Sequence, residues 1–189
     1  HNPDGSKSPY ELNINFFDAL SNPSAGEPLT TSINRFLCAQ AIMLSLAGMP
    51  GIYFHSLFGS RNDRAAADAS GIPRRINRQK FARERLEREL EDSSSLRARV
   101  LSGYKALLRL RQGSPAFHPG GEQEVISCDD RLFTVLRSSP DGQEQALCLH
   151  NVSPGDVKTK LSLPREVKRR FAEGGTALED ELELHLAPY

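Results

Sequence analysis

Apolar residues recur at helical spacing in three segments of the first 112 residues. The first segment, residues 32–47, follows a polar residue that can cap a helix, Thr31 or Ser32. Its apolar positions are Ile33, Phe36, Leu37, Ala41 and Leu44. The other two segments, residues 79–91 and 95–112, carry apolar stripes between charged positions. The pattern predicts three helices, and the first is apolar on most of its circumference, which indicates burial on more than one side.

A short apolar run lies between the first two predicted helices. Residues 52–57, Ile-Tyr-Phe-His-Ser-Leu, are bounded by glycines and rich in β-forming side chains, so they predict a buried parallel strand. A helix, a Gly-Pro stop and an apolar strand, in that order, are typical of an α/β barrel or a doubly wound sheet. Residues 59–78 then predict a long polar loop, and a loop of this length usually has a function.

The hydrophobic period changes from helical to two after residue 113. The alternation predicts strands at about 123–128, 131–138, 144–152, 157–163 and 182–186. Ser-Pro-Asp-Gly and Ser-Pro-Gly-Asp turns separate the middle strands. We therefore expect two units: an α/β unit over residues 1–117 and a small antiparallel β domain over residues 118–189.

Composition narrows the class of protein. The chain has 189 residues with 24 basic and 24 acidic side chains, so no net field attracts nucleic acid or anionic lipid. The longest apolar run is far shorter than the ~20 residues of a membrane-spanning helix. The three cysteines are far apart and form no Cys/His ligand cluster. They predict a reducing cytoplasm and no metal site.

Three short stretches carry a family resemblance. They are Ser-Pro-Tyr-Glu-Leu-Asn at residues 8–13, Gly-Met-Pro-Gly-Ile-Tyr-Phe at 48–54 with Ser-Arg-Asn-Asp at 60–63, and Arg-Arg-Ile-Asn-Arg at 74–78. In this order and spacing they resemble motifs of the sucrose-phosphorylase group of glycoside hydrolase family 13, in the α-amylase superfamily. The resemblance spans residues 1 to about 117. It implies the C-terminal portion of a (β/α)8 TIM barrel followed by a small antiparallel β domain.

The resemblance also implies an activity. Members of this group transfer glucose from a glucoside such as sucrose, sucrose 6-phosphate or glucosylglycerate to inorganic phosphate with retention, giving glucose 1-phosphate and needing no cofactor. On this register residues 52–57 are the eighth barrel strand, and the three catalytic carboxylates precede residue 1. The chain is then expected to be a C-terminal fragment with no catalytic residue and no activity of its own. The resemblance leaves open whether the full-length protein is a homodimer.

Five residues are candidates for substrate binding. By resemblance, Arg74 matches an arginine that donates to a glucose hydroxyl, and Arg78 belongs to the same motif. Tyr10 and Glu11 match a loop on the acceptor side, where the family usually has Gln in place of Glu11. A carboxylate there repels phosphate, which favours an acceptor other than fructose and is more similar to relatives that use glucosylglycerate or sucrose phosphate. His55 lies at the end of the predicted strand, where barrel active sites form.

Each candidate has a simpler interpretation. His55 can pack beside Tyr53 with one ring nitrogen satisfied, and the arginines can form a solvated loop cluster. Asn62 and Asp63 are more typical of loop caps than of ligands. For the whole chain, a family 13 hydrolase or transglycosidase and a non-catalytic carbohydrate-binding or interaction module remain alternatives.

Overall fold

The computed structural model describes residues 3–6, 8, 12–161, 164, 165, 167, 169 and 182–189. The helices are α1 (Phe16–Ala19), α2 (Leu29–Ser45), α3 (Phe54–Leu57), α4 (Arg64–Ser70), α5 (Arg83–Glu91) and α6 (Leu96–Gln112), with 3₁₀ turns at Pro23–Ala25, Pro73–Asn77 and Pro115–Phe117. The strands are β1 (Glu122–Ile126), β2 (Leu132–Ser138), β3 (Gln145–Asn151), β4 (Val157–Leu161) and β5 (Leu182–Leu186). None of these helices is long and apolar enough to cross a membrane.

The two 17-residue helices, α2 and α6, pack against each other and form the first core. Phe36 of α2 is fully buried, and its ring contacts Phe17 of α1 at 5.2 Å and Tyr104 of α6 at 6.2 Å between centroids. The helices approach closely at Gly103, because a Cβ there would lie 2.4 Å from a methyl carbon of Leu37. The apolar stripes at residues 32–47 and 95–112 therefore face each other, and both helix predictions are confirmed.

Two antiparallel sheets follow the helices. One has the order β1-β2-β3, in which Val135 of β2 pairs with Val125 of β1 and with Cys148 of β3. The other joins β4 to β5. Buried Ile126 and Leu136 pack with partly buried Leu184 of β5, so one core serves both sheets. The five strand predictions are confirmed to within about two residues.

The strand predicted at residues 52–57 was wrong. Tyr53 has extended backbone, but α3 begins at Phe54 and ends at Leu57. Local hydrogen bonds hold this turn: Ser56 N–H donates to the Tyr53 carbonyl at 2.9 Å and Gly59 N–H to the Ser56 carbonyl at 3.2 Å. A strand needs a neighbour for its backbone groups, and every strand pair in the described residues is antiparallel and lies after residue 121. The barrel therefore stays a prediction.

The polar loop at residues 59–78 is more ordered than its sequence predicts. It contains α4 and the 3₁₀ turn Pro73–Asn77. Asp63 caps α4 by accepting from Ala66 N–H at 3.1 Å, and Gly71 ends that helix with a left-handed φ of 64°. The capping interpretation of Asp63 is thus confirmed.

Two arginines donate to carbonyls at and just after the C-terminus of α2, and they join it to the first sheet through Arg137 and to α6 through Arg111. Arg137 of β2 is fully buried and donates to the carbonyl of Ser45 at 3.0 Å, of His118 at 3.0 Å and of Glu122 at 3.1 Å. Arg111 of α6 donates to the carbonyls of Leu44, Leu46 (3.1 Å) and Gly48 (2.7 Å). Of these carbonyls, those of Leu44, Ser45 and Leu46 lie at the C-terminus of α2, where helix carbonyls have no intrahelical partner.

Replacing Arg137 with Leu is expected to lower the free energy of unfolding by about 3 kcal/mol or more, because three carbonyls lose a charged donor in a buried place. Urea denaturation of the purified chain measures this change. Arg83→Ala is the matched control: that side chain is 84% exposed in an i,i+4 pair with Glu87, and its loss should cost less than about 0.5 kcal/mol. Equal effects of the two substitutions would contradict the anchoring role of Arg137.

Candidate functional site

Three of the five proposed substrate-binding residues lie in two neighbouring segments. His55 is in α3, Arg74 is in the 3₁₀ turn Pro73–Asn77, and Arg78 follows that turn. The Tyr53 hydroxyl donates to the Asn77 carbonyl at 3.1 Å and so links the segments. Tyr10 and Glu11 fall outside the described residues.

His55 is a packed residue in this structure. Its side chain is 7% exposed, its ring lies 5.3 Å from Tyr53 and 5.2 Å from Phe81, and its Nδ1 is 3.1 Å from the Ser60 hydroxyl. Burial, and secondarily the charge of Arg97, lower its pKa from the ordinary value. The imidazole is therefore neutral at pH 7 and held by one ring nitrogen, as the simpler interpretation had it.

Arg97 of α6 belongs to this site although no sequence motif indicates it. Its guanidinium lies 4.3 Å from the centre of the Phe81 ring and donates to the Ser60 hydroxyl at 3.2 Å and to Gln79 Oε1 at 3.1 Å. It also pairs with Glu89, which pairs at the same time with Arg85, four residues earlier in α5. Helical spacing does not reveal a pair eight residues apart across a helix break. Arg97 thus fixes the segments on both sides of the loop.

The arginine turn, residues 74–78, presents Arg74 and Arg78 on the surface. Both side chains are exposed, and guanidinium groups offer several fixed donors that suit sugar hydroxyls or phosphate oxygens. The carbonyl of Ile76, between them, accepts from Asp63 N–H at 2.8 Å and from Asn15 Nδ2 at 3.2 Å. The turn is thus anchored at its centre while its charged groups face solvent.

A cleft of about 700 Å³, lined by both apolar and polar side chains, opens beside the loop. Asp18 lies in its wall and is 6% exposed; its carboxylate accepts from Arg61 at 3.0 Å and from Asn62 N–H at 2.7 Å. Arg35 and Arg64 also line the cleft. Such a surface can hydrogen-bond a sugar or an anion. In the part of the chain that the structure describes, no group of three His, Cys, Asp or Glu side chains is arranged to hold a metal.

Acid should destabilise the chain through His55. Because its folded pKa lies below the ordinary 6.5, the unfolded state binds more protons below about pH 6.5 and the free energy of unfolding falls as the pH falls. His55→Gln should reduce the loss between about pH 7.5 and about pH 5, measured by urea denaturation. The loss of stability that remains in this variant is attributed partly to His150, because burial also lowers the pKa of that side chain. His185→Gln, at an exposed position, should leave the loss unchanged, and an equal effect of both variants would contradict this assignment.

The chain is similar in sequence to known sugar phosphorylases. It is 50% identical over 145 residues to the glucosylglycerate phosphorylase of Spirochaeta thermophila, covering 77% of this chain and 24% of that protein. It is 46% identical over 151 residues to the glucosylglycerate phosphorylase of Allomeiothermus silvanus, covering 80% of this chain and 26% of that protein. The chain thus spans about a quarter of the length of these relatives. No family model matches the chain.

A solved structure shares the fold. The sucrose 6F-phosphate phosphorylase of Thermoanaerobacter thermosaccharolyticum superposes with a TM-score of 0.54 over 66% of this chain and 23% of that one, at 22% identity. The motifs at residues 8–13, at 48–54 with 60–63, and at 74–78 indicate the same group. The chain therefore belongs with the sucrose phosphorylase-like sugar phosphorylases, as the resemblance implied, over a stretch of about a quarter of their length.

Proposed function

We propose that the chain is part of a retaining glucoside phosphorylase that acts on glucosylglycerate. Phosphate takes the place of glycerate at the anomeric carbon of glucose, and the products are glucose 1-phosphate and glycerate. The observation that supports this substrate is the 50% and 46% identity to two glucosylglycerate phosphorylases over more than three quarters of the chain. Glu11, in place of the family's usual Gln, points to the same acceptor class.

The proposed reaction has two displacements. A carboxylate attacks the anomeric carbon while a carboxylic acid protonates the departing glycerate oxygen; phosphate then attacks the glucosyl-enzyme and gives its proton to the same group. We place both carboxylates in sequence that this chain does not include. The two inversions together retain the configuration at the anomeric carbon.

The contribution of this chain is to bind the glucosyl group. We assign donor recognition to the arginine turn, because Arg74 and Arg78 are exposed and the backbone between them is anchored at Ile76. A guanidinium keeps its charge at any physiological pH and its donors have fixed directions, so it can orient a sugar hydroxyl. His55 is assigned to support of this segment: its ring is buried and its Nδ1 is engaged by Ser60.

The full-length protein should release glucose 1-phosphate from glucosylglycerate only when phosphate is present. A coupled assay for glucose 1-phosphate measures this, with sucrose and sucrose 6-phosphate as competing donors. Residues 1–189 alone serve as the control and should release none. Release of free glucose at the same rate with or without phosphate would instead make the protein a hydrolase, and preference for either sucrose donor would overturn the assigned substrate.

Arg74→Ala in the full-length protein should lower kcat/KM for glucosylglycerate by about 10- to 100-fold, the equivalent of one hydrogen bond from a charged donor. Arg75→Ala is the matched control, because the Arg75 side chain is next in sequence, is also exposed and has no assigned role. The kcat/KM of this variant should stay within about twofold of that of the unmodified enzyme. Steady-state kinetics distinguish the two. Equal losses would remove Arg74 from the donor site.

A further inference from the structure

Asn15 is buried where three parts of the chain meet. Its residue is 4% exposed. The side-chain Nδ2 donates to the Arg61 carbonyl at 2.7 Å and to the Ile76 carbonyl at 3.2 Å, and its backbone N–H donates to Asn62 Oδ1 at 2.7 Å. Three hydrogen bonds from one residue thus join the segment before α1 to both ends of the loop at residues 59–78.

The side chain of Asn15 does not perform the local task that its position favours. Asn15 is the N-cap of α1, where an asparagine oxygen usually accepts from a backbone N–H of the first turn. Here the side chain makes no capping hydrogen bond, and the helix takes only the Asn15 carbonyl, which accepts from Ala19 N–H at 2.9 Å. Both side-chain donors are directed to carbonyls of the distant loop. The contact therefore organises the loop and not the helix.

Asp18, one turn later, binds the same loop from the same side. Its carboxylate accepts from the Arg61 guanidinium and from Asn62 N–H. The beginning of the loop, residues 61–62, is then held by two side chains, one from α1 and one from its N-cap. Asn15, unlike Asp18, also donates to the carbonyl of Ile76, which lies between Arg74 and Arg78.

We propose that Asn15 is a positioning residue for donor recognition: it fixes the arginine turn at Ile76 at the distance from α1 that glucose binding requires. This inference rests on the proposed function. Loss of the Nδ2 donors removes one of the two donors that the Ile76 carbonyl has among the described residues and leaves Asp63 N–H. The turn then gains freedom and its arginines lose their fixed direction. The cost falls on binding of the glucosyl group and not on binding of phosphate.

The test uses the full-length protein and four steady-state constants. Asn15→Ala should raise KM for the two glucosyl donors, glucosylglycerate and glucose 1-phosphate, by about tenfold, the effect of one or two lost hydrogen bonds. KM for the two acceptors, phosphate and glycerate, should change by less than about twofold. A purely structural loss lowers the amount of active enzyme, which changes the rate and leaves every KM as it was.

A double substitution tests whether Asn15 acts through the arginine turn. Adding Asn15→Ala to Arg74→Ala should raise the donor KM little further, because residues that act as one unit are not additive. Independent, additive effects of the two substitutions would overturn the proposal, as would an equal rise of donor and acceptor KM or no rise at all.

Asn15→Ser and Asn22→Ala complete the design. Serine keeps one hydroxyl donor, so Asn15→Ser should show the same donor-specific rise at smaller size, and it decides the question should Asn15→Ala not fold. Asn22 is the matched control, since its exposed side chain accepts from nearby Ser24 N–H, at 3.0 Å, and Asn22→Ala should leave all four constants unchanged. An unmodified enzyme that releases no glucose 1-phosphate would refute the proposed function itself, which separates that failure from failure of the role of Asn15.

Discussion

The C-terminus of α2 must find donors for its last carbonyls, and the arrangement of the whole chain depends on how it does so. The backbone becomes extended at Leu46, directly after the helix, and Pro50 follows four residues later. No further helical turn therefore supplies N–H groups. Arg111 and Arg137 supply them from two different elements, α6 and β2. Their guanidinium groups suit this task because each presents several donors in one plane. Burial lowers the pKa of both arginines because each charge loses its hydrating water. The carbonyl dipoles offset part of this desolvation cost.

That junction fixes one end of the helical unit, and a second set of polar contacts fixes the other. Arg97 joins Ser60, Gln79 and Glu89, while Asp18 accepts from Arg61 and Asn62. Between these two ends the apolar core of α2 and α6 keeps the distance constant, since close-packed interiors deform little. The loop that carries the arginine turn is therefore attached to a rigid body by directional bonds, which suits a surface that must present charged donors to a ligand.

The hydrophobic pattern predicted the elements correctly where one face of a single helix or strand is buried. The stripes of α2 and α6 and the alternation of β1 to β5 each report one face of one element, and one face is what periodicity measures. Residues 52–57 show the opposite case. Their β-rich composition is real, but a strand exists only when another strand accepts its hydrogen bonds, and here His55 and Phe58 instead pack with Phe81. The prediction of an irregular loop at residues 59–78 was incomplete for a similar reason. The polar composition of this segment does not reveal the short helix α4, which depends on the Asp63 cap and on contacts with the turn at Pro73–Asn77.

The candidate site divides in the same way. Arg74 and Arg78 are visible in a contiguous motif. That motif and its two companions, in order, indicate the phosphorylase group that the sequence comparisons support. By itself the sequence also determined the two long helices, the positions of the five strands and the change of period near residue 113. Only the tertiary structure decided that Arg97 belongs with His55, that Arg137 of a strand completes a helix 92 residues earlier, and that Asn15 gives up its cap to hold Ile76. These contacts join residues far apart in the chain, and their selection depends on distance and direction in the folded state, which no local pattern of residue types contains.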